Sequence, residues 1–275
     1  MNGRGLGVVD ALAEALPQVI REAFVVLTQL GDAWFIFVAT ALVYWYEDRD
    51  RGAFVLAAVL GALALTVALK GLFGLPRPPA ELHVGHADSY GFPSGHAVGS
   101  SVLWVVLALV LDRGTRAQRL LVAGAAVAVV ATSRVVIGVH YTVDVVVGVA
   151  VGLAYLGLLV RATDWEPGRG FAVASAVAAG ALATNGLTPD AVAIVAGVLG
   201  ATAAWSAFGV ASRGRVGPGV ALATLAGLGA LGYAGNSLSA SLAAVFVLNL
   251  VVPPVILLLP VAVERVKRAS GETPT

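Results

Sequence analysis

Long apolar stretches separated by short polar ones run the length of the chain, and their spacing predicts helices that cross a membrane. A helix needs roughly 20 apolar residues to span the hydrocarbon layer. Stretches of about that length cover residues 23–45, 53–73, 94–111, 120–137 and 141–160. After a polar linker at 165–170 (WEPGRG), four more follow at 171–184, 191–211, 216–234 and 242–263. The expected fold is all-α: a polytopic transmembrane helical bundle with a core of five spans and an additional set of four. The stretch 171–184 is short for a crossing, and Asn185, Gly186 and Pro189 predict a tight turn behind it. Pro253, Pro254 and Pro260 predict a kink or break in the last stretch.

The first 22 residues follow a different pattern. Val8, Leu12, Leu16, Val19 and Ile20 recur at helical spacing, interrupted by Asp10, Glu14, Arg21 and Glu22. Residues 1–22 therefore predict an amphipathic helix lying in the membrane interface, or a tail, rather than a cleavable signal. Asp32 falls inside the first span, where a carboxylate is costly, so it should face protein or water. Either it supports a site or it marks a wet helix end.

Composition strengthens the membrane reading. Of 275 residues, 59% are hydrophobic and only 12% charged, against about a quarter charged in soluble domains. The net charge of +1 and the absence of a basic run argue against nucleic acid as a partner. With no cysteine in the chain, disulfides, thiolate metal sites and a cysteine nucleophile are excluded. Basic residues fall in alternate loops: Arg49, Arg51, Arg113, Arg116, Arg119, Arg161, Arg169, Arg213 and Arg215, with Arg265, Lys267 and Arg268 in the tail. Positive loops stay cytoplasmic, so the C-terminus is expected inside and the opposite ends of the spans outside.

Three polar clusters stand out on that opposite face. Lys70 precedes Arg77-Pro78 (KGLFGLPRP); Phe92 to His96 reads FPSGH; and Ser133-Arg134 precedes His140 and Asp144 (SRVVIGVHYTVD). Arginine's planar fork binds two phosphate oxygens at once, while lysine acts as a point charge. Snorkelling at a helix end would also explain Lys70 and Arg77, but not Arg134, which sits among valines. Ser94 and Gly95 open a helix whose free N–H groups suit an anion, or simply cap it. On a helix, His140 and Asp144 would share one face, so that the carboxylate fixes the imidazole tautomer.

These clusters, written K-x6-R-P, P-S-G-H and S-R-x5-H-x3-D, resemble the motifs of the type 2 phosphatidic acid phosphatase superfamily, with every key position present. The resemblance covers roughly residues 20–162 and implies a catalytic membrane domain at 23–162. Residues 171–275 are then additional transmembrane helices without recognisable chemistry. The resemblance also implies roles. His140 would be the nucleophile that forms a phosphohistidine, and Asp144 would orient it. His96 would protonate the leaving oxygen and then activate water. Lys70, Arg77, Ser94, Gly95 and Arg134 would bind the substrate phosphate.

No cofactor and no metal are expected. His83 and His86 are three apart but lack a third ligand, and read as loop residues or part of the substrate entrance. The implied activity is hydrolysis of a lipid phosphate or diphosphate at the external face of the cell membrane. Phosphatidic acid, phosphatidylglycerophosphate and a polyprenyl or dolichyl diphosphate are the candidate substrates. The alternatives are a phosphotransferase and a catalytically silent lipid transporter on the same fold. A vanadate-dependent haloperoxidase shares the phosphate pocket but is less hydrophobic.

Overall fold

The computed structural model describes residues 4, 7–85, 87–209, 214–237 and 241–270. His86 and Arg213 lie outside the described residues. Two short helices, α1 (Val8–Ala15) and α2 (Gln18–Leu27), precede a 3-10 turn at Thr28–Gly31. The bundle then runs α3 (Ala33–Tyr46), α4 (Arg49–Phe73), α5 (Gly95–Val110), α6 (Arg116–Val136) and α7 (Thr142–Thr163). It continues with α8 (Pro167–Asn185), α9 (Pro189–Phe208), α10 (Pro218–Ser237) and α11 (Leu242–Ala269).

All nine apolar stretches form helix among the described residues. Five helices (α4, α6, α7, α9 and α11) are individually long and apolar enough to cross a membrane. The first stretch is not one straight helix. It divides at Asp32 into α2 with its 3-10 turn and α3, bent by 41°. The Asp32 carboxylate accepts from the Trp34 N–H at 3.3 Å, which caps α3 and ends the run before it.

The second departure is α11, which passes Pro253, Pro254 and Pro260 without a break. Each proline withdraws a donor from the carbonyl four residues earlier. Pro260 frees the Ile256 carbonyl, and the Trp45 indole N–H donates to it at 2.8 Å. Pro253 and Pro254 free the Asn249 and Leu250 carbonyls, which face Gly197 and Gly200 of α9. Glycine lets these backbones approach closely, as a Cβ on Gly200 would collide with the Leu250 oxygen. In a membrane, a proline-containing helix persists where neighbours take up the freed groups.

Helix α4 is the hub: Ala53 to Leu60 are at most 1% exposed, enclosed by α3, α5, α8 and α9. It runs parallel to α8. Gly170 lies against Ala57 toward one end, and the Asn185 amide donates to the Val67 carbonyl at 2.9 Å toward the other. At one end of the bundle the basic loops meet acidic partners. Arg51 contacts Asp112 at 2.6 Å and the Val110 carbonyl at 2.8 Å, and Arg113 contacts Glu47 at 2.6 Å. The three polar clusters gather at the other end. Residues of the N-terminal segment close over them: Arg21 donates to the Val136 carbonyl at 3.0 Å and to the Leu82 carbonyl, and Val9 is buried beside Ala97, Val135 and Val145.

Candidate active site

His140 lies in the turn between α6 and α7, one residue before the α7 cap, so it does not share a helical face with Asp144. Its ring is 1% exposed. Nδ1 lies 2.7 Å from the Gly91 carbonyl, and Nε2 lies 3.0 Å from an Arg77 guanidinium nitrogen. These partners assign the tautomer: Nδ1–H donates to Gly91, and the Nε2 lone pair accepts from Arg77. Asp144 is 3.8 Å from Nδ1, within ion-pair range but beyond a hydrogen bond. Both its oxygens are engaged elsewhere. One accepts from Arg4 at 3.0 Å, and the other from the Tyr141 N–H at 3.0 Å, which caps α7. The Gly91 carbonyl thus holds the imidazole, and Asp144 holds the turn that carries it.

Burial pushes the His140 pKa well below 6.5, and the neighbouring charges of Arg77, Arg134 and Lys70 push in the same direction. The Gly91 hydrogen bond opposes the shift without reversing it. His140 is therefore neutral, with its free electron pair directed at a guanidinium. Burial also lowers the pKa of Arg77, against the pull of the Asp144, Asp88 and Asp190 carboxylates.

The cations reach the site from three elements. Lys70, on the last turn of α4, donates to the Ser89 hydroxyl at 2.6 Å. Arg77 donates to the Ser89 carbonyl at 2.6 Å and the Val139 carbonyl at 2.9 Å. Arg134, on the last turn of α6, is 7% exposed and donates to the Thr28 hydroxyl at 3.2 Å. Its Nε is buried without a partner. A buried charged donor left unsatisfied costs more than about 1–3 kcal/mol, which an incoming phosphate oxygen would recover.

Ser94 and Gly95 stand at the start of α5. Ser94 is fully buried and caps the helix, and its N–H donates to the Asp144 carbonyl at 3.0 Å. Small residues on α7 allow α5 this close. A Cβ on Gly148 would lie 2.9 Å from the Ser94 carbonyl oxygen, and one on Gly152 would lie 2.7 Å from that of Val98. His96 follows one residue into α5, with Nε2 3.6 Å from an Asp32 carboxylate oxygen. Each histidine thus has its own polar neighbour, a hydrogen-bonded carbonyl for His140 and a carboxylate in ion-pair range for His96. Asp32 borders the site and is not merely a wet helix end.

Several participants carry no motif signature. Ser89, the Gly91 carbonyl, Thr28 and Arg4 all engage motif residues. Asn185, Thr188 and Asp190 line a cavity of about 760 Å³ with Lys70, Arg77 and Ser89, so the C-terminal helices do contribute to the site's walls. His83 Nε2 lies 3.0 Å from the carbonyl of Pro78, the proline of the first motif. Among the described residues, no three His, Asp or Glu side chains gather into a metal-binding group.

A helical bundle with helices long and apolar enough to cross a membrane gathers three cations and a neutral histidine at one end, an arrangement suited to an anionic group. Comparison with known proteins narrows the class. Residues 51–167 match the sequence model of the PAP2 superfamily, and that segment is similar to membrane phosphatases. It is 28% identical over 155 residues to phosphatidylglycerophosphatase B of Bacillus subtilis (strain 168), covering 53% of this chain and 75% of the relative. The crystal structure of a transmembrane PAP2-type phosphatidylglycerolphosphate phosphatase from Bacillus subtilis superposes with a TM-score of 0.50 at 25% identity, over 57% of this chain and 83% of that one. LpxE of Aquifex aeolicus gives a TM-score of 0.46 at 19% identity, over 56% and 93%.

Proposed function

We propose that the protein hydrolyses a lipid phosphate or diphosphate through a phosphohistidine on His140, at the external membrane face. The observation that carries this reading is the contact between the His140 Nε2 lone pair and Arg77 at 3.0 Å. A phosphate oxygen is a stronger partner for a guanidinium than an imidazole is. Substrate binding would draw Arg77 onto the phosphate, together with Lys70 and Arg134, and place the phosphorus in front of the exposed lone pair.

In the first step Nε2 attacks phosphorus and the bond to the leaving oxygen breaks. His96 supplies the proton that this oxygen takes up. The Gly91 carbonyl and the nearby Asp144 carboxylate stabilise the positive charge that develops on the His140 ring. In the second step a water attacks the phosphohistidine and gives its proton to His96. The P–N bond breaks and inorganic phosphate leaves. Both steps develop charge on phosphoryl oxygens, which the three cations and the α5 N-terminus meet with fixed donors.

The external placement is supported by the basic loops at the opposite end of the bundle, where cytoplasmic loops are expected to be positive. Phosphatidylglycerophosphate, the substrate that the names of the Bacillus relatives indicate, heads the candidates, followed by phosphatidic acid and polyprenyl diphosphates. The test is phosphate release from these three lipids by the purified protein in detergent. Release from at least one, blocked by vanadate, is the expected result; release from none would overturn the assignment.

A further inference from the structure

The four C-terminal helices lie almost wholly beyond the segment that matches the superfamily, which ends at residue 167. Three of them, α9 to α11, enclose a second cavity of about 840 Å³ against α3 and α4. That volume falls within the roughly 300–1,000 Å³ of small-molecule pockets. Its walls are mostly apolar, with Asp32, Asp190 and Asn249 as the polar exceptions. On α10, Leu225, Leu228, Gly229 and Gly232 face it at helical spacing. Ala193 and Gly197 of α9 and Pro253 and Ile256 of α11 face it from the other side.

The position of this cavity indicates its occupant. Asp32 lines one of its ends and is the carboxylate paired with His96. In the proposed reaction His96 protonates the leaving oxygen, and in a lipid phosphate that oxygen carries the hydrocarbon. Val67 and Asp190 line both this cavity and the polar one that holds Lys70, Arg77 and Ser89. The apolar cavity therefore adjoins the cationic one across Val67 and Asp190, and the carboxylate that faces His96 lines the apolar side. We infer that the α9–α11 cavity binds the hydrocarbon tail of the lipid whose phosphate occupies the site, and that it sets chain-length preference. This rests on the phosphatase reading for its substrate, and the C-terminal helices gain a role in selectivity.

Cavity filling tests the inference. A Cβ added to Gly229 or Gly232 would have no neighbouring atom within 4 Å, so larger side chains there enter open space. Gly229→Phe and Gly232→Phe should reduce the ratio of kcat/KM for a long-chain over a six-carbon-chain lipid phosphate by at least tenfold. Leu222→Phe, on an exposed part of α10, should leave that ratio within twofold of the parent. An unchanged ratio in both glycine variants would overturn the inference. Photolabelling provides a second readout that needs no turnover. A long-chain lipid phosphate with a diazirine at the tail terminus should label Leu225, Leu228, Gly229 or Gly232, or the facing Ala193, Ile194 or Gly197. Labelling confined to membrane-facing positions such as Leu222 and Leu231 would show general lipid contact only and would refute the tail site. If the protein released phosphate from no lipid, the phosphatase reading would fall, while the photolabel would still report on the cavity.

Discussion

The Asp32 carboxylate stands 3.6 Å from Nε2 of His96, linking a helix cap in the first apolar stretch to the start of α5. The two residues are 64 positions apart in the chain, and the bend at Asp32 brings them together. In the proposed reaction, a carboxylate in ion-pair range would stabilise the imidazolium that acts as the acid.

Asp32→Asn isolates that effect, because asparagine caps a helix about as well as aspartate. With a lipid phosphate, kcat should fall about 10- to 100-fold, part of the roughly 10²–10⁴-fold that a general acid supplies. With an aryl phosphate, whose leaving oxygen needs no proton, the loss of the first step should be small. Steady-state kinetics and the first-turnover burst on both substrates would show the difference. Equal losses in the first turnover would mean that Asp32 serves the fold rather than His96.

The pH dependence follows from His140. In the proposed mechanism it attacks only when neutral, and its pKa is held well below 6.5 by burial and by three cations. The neutral form is thus fully present at pH 6.5 and is lost only as the pH falls through the depressed value. Lys70→Gln removes one of those cations, so the pKa should rise toward 6.5 and the acid limb of kcat/KM should move to higher pH. Comparing both proteins on the same substrate cancels the substrate's own ionisation near pH 6. A limb that stayed in place or moved to lower pH would contradict this electrostatic picture.

Membrane orientation is tested by labelling. The chain has no cysteine, so introduced ones are read without background. Glu81→Cys, in the exposed loop at the site end, should react with an impermeant thiol reagent in intact cells. Arg116→Cys, at the exposed start of α6, should react only after the membrane is opened. The reverse pattern would place the site in the cytoplasm.

Most motif residues could be read from the sequence because a charge, imidazole or hydroxyl stands out among valines, alanines and leucines. Their partners could not. The acceptor on His140 Nδ1 is a backbone carbonyl at Gly91, and backbone groups are the same at every position. Ser89 sits in a loop whose course, rather than its residue type, brings it to Lys70 and Arg77. The division of the first stretch had a local sign, Gly31 followed by the capping Asp32, but the apolar flanks on both sides concealed it. Prolines in α11 predict a break only if the freed carbonyls lack partners. Trp45 supplies one from more than 200 residues away, a contact that no local pattern records.

The phosphohistidine can be observed directly in a His96→Ala variant supplied with an aryl phosphate. The good leaving group lets His140 take the phosphoryl, while the missing base stalls its hydrolysis. After an alkaline quench, which preserves phosphohistidine, peptide mass spectrometry should find one phosphoryl group on His140, and a His96→Ala/His140→Ala double variant should carry none. A phosphoryl group on another residue, or near-parental turnover by His140→Ala alone, would contradict nucleophilic attack by His140.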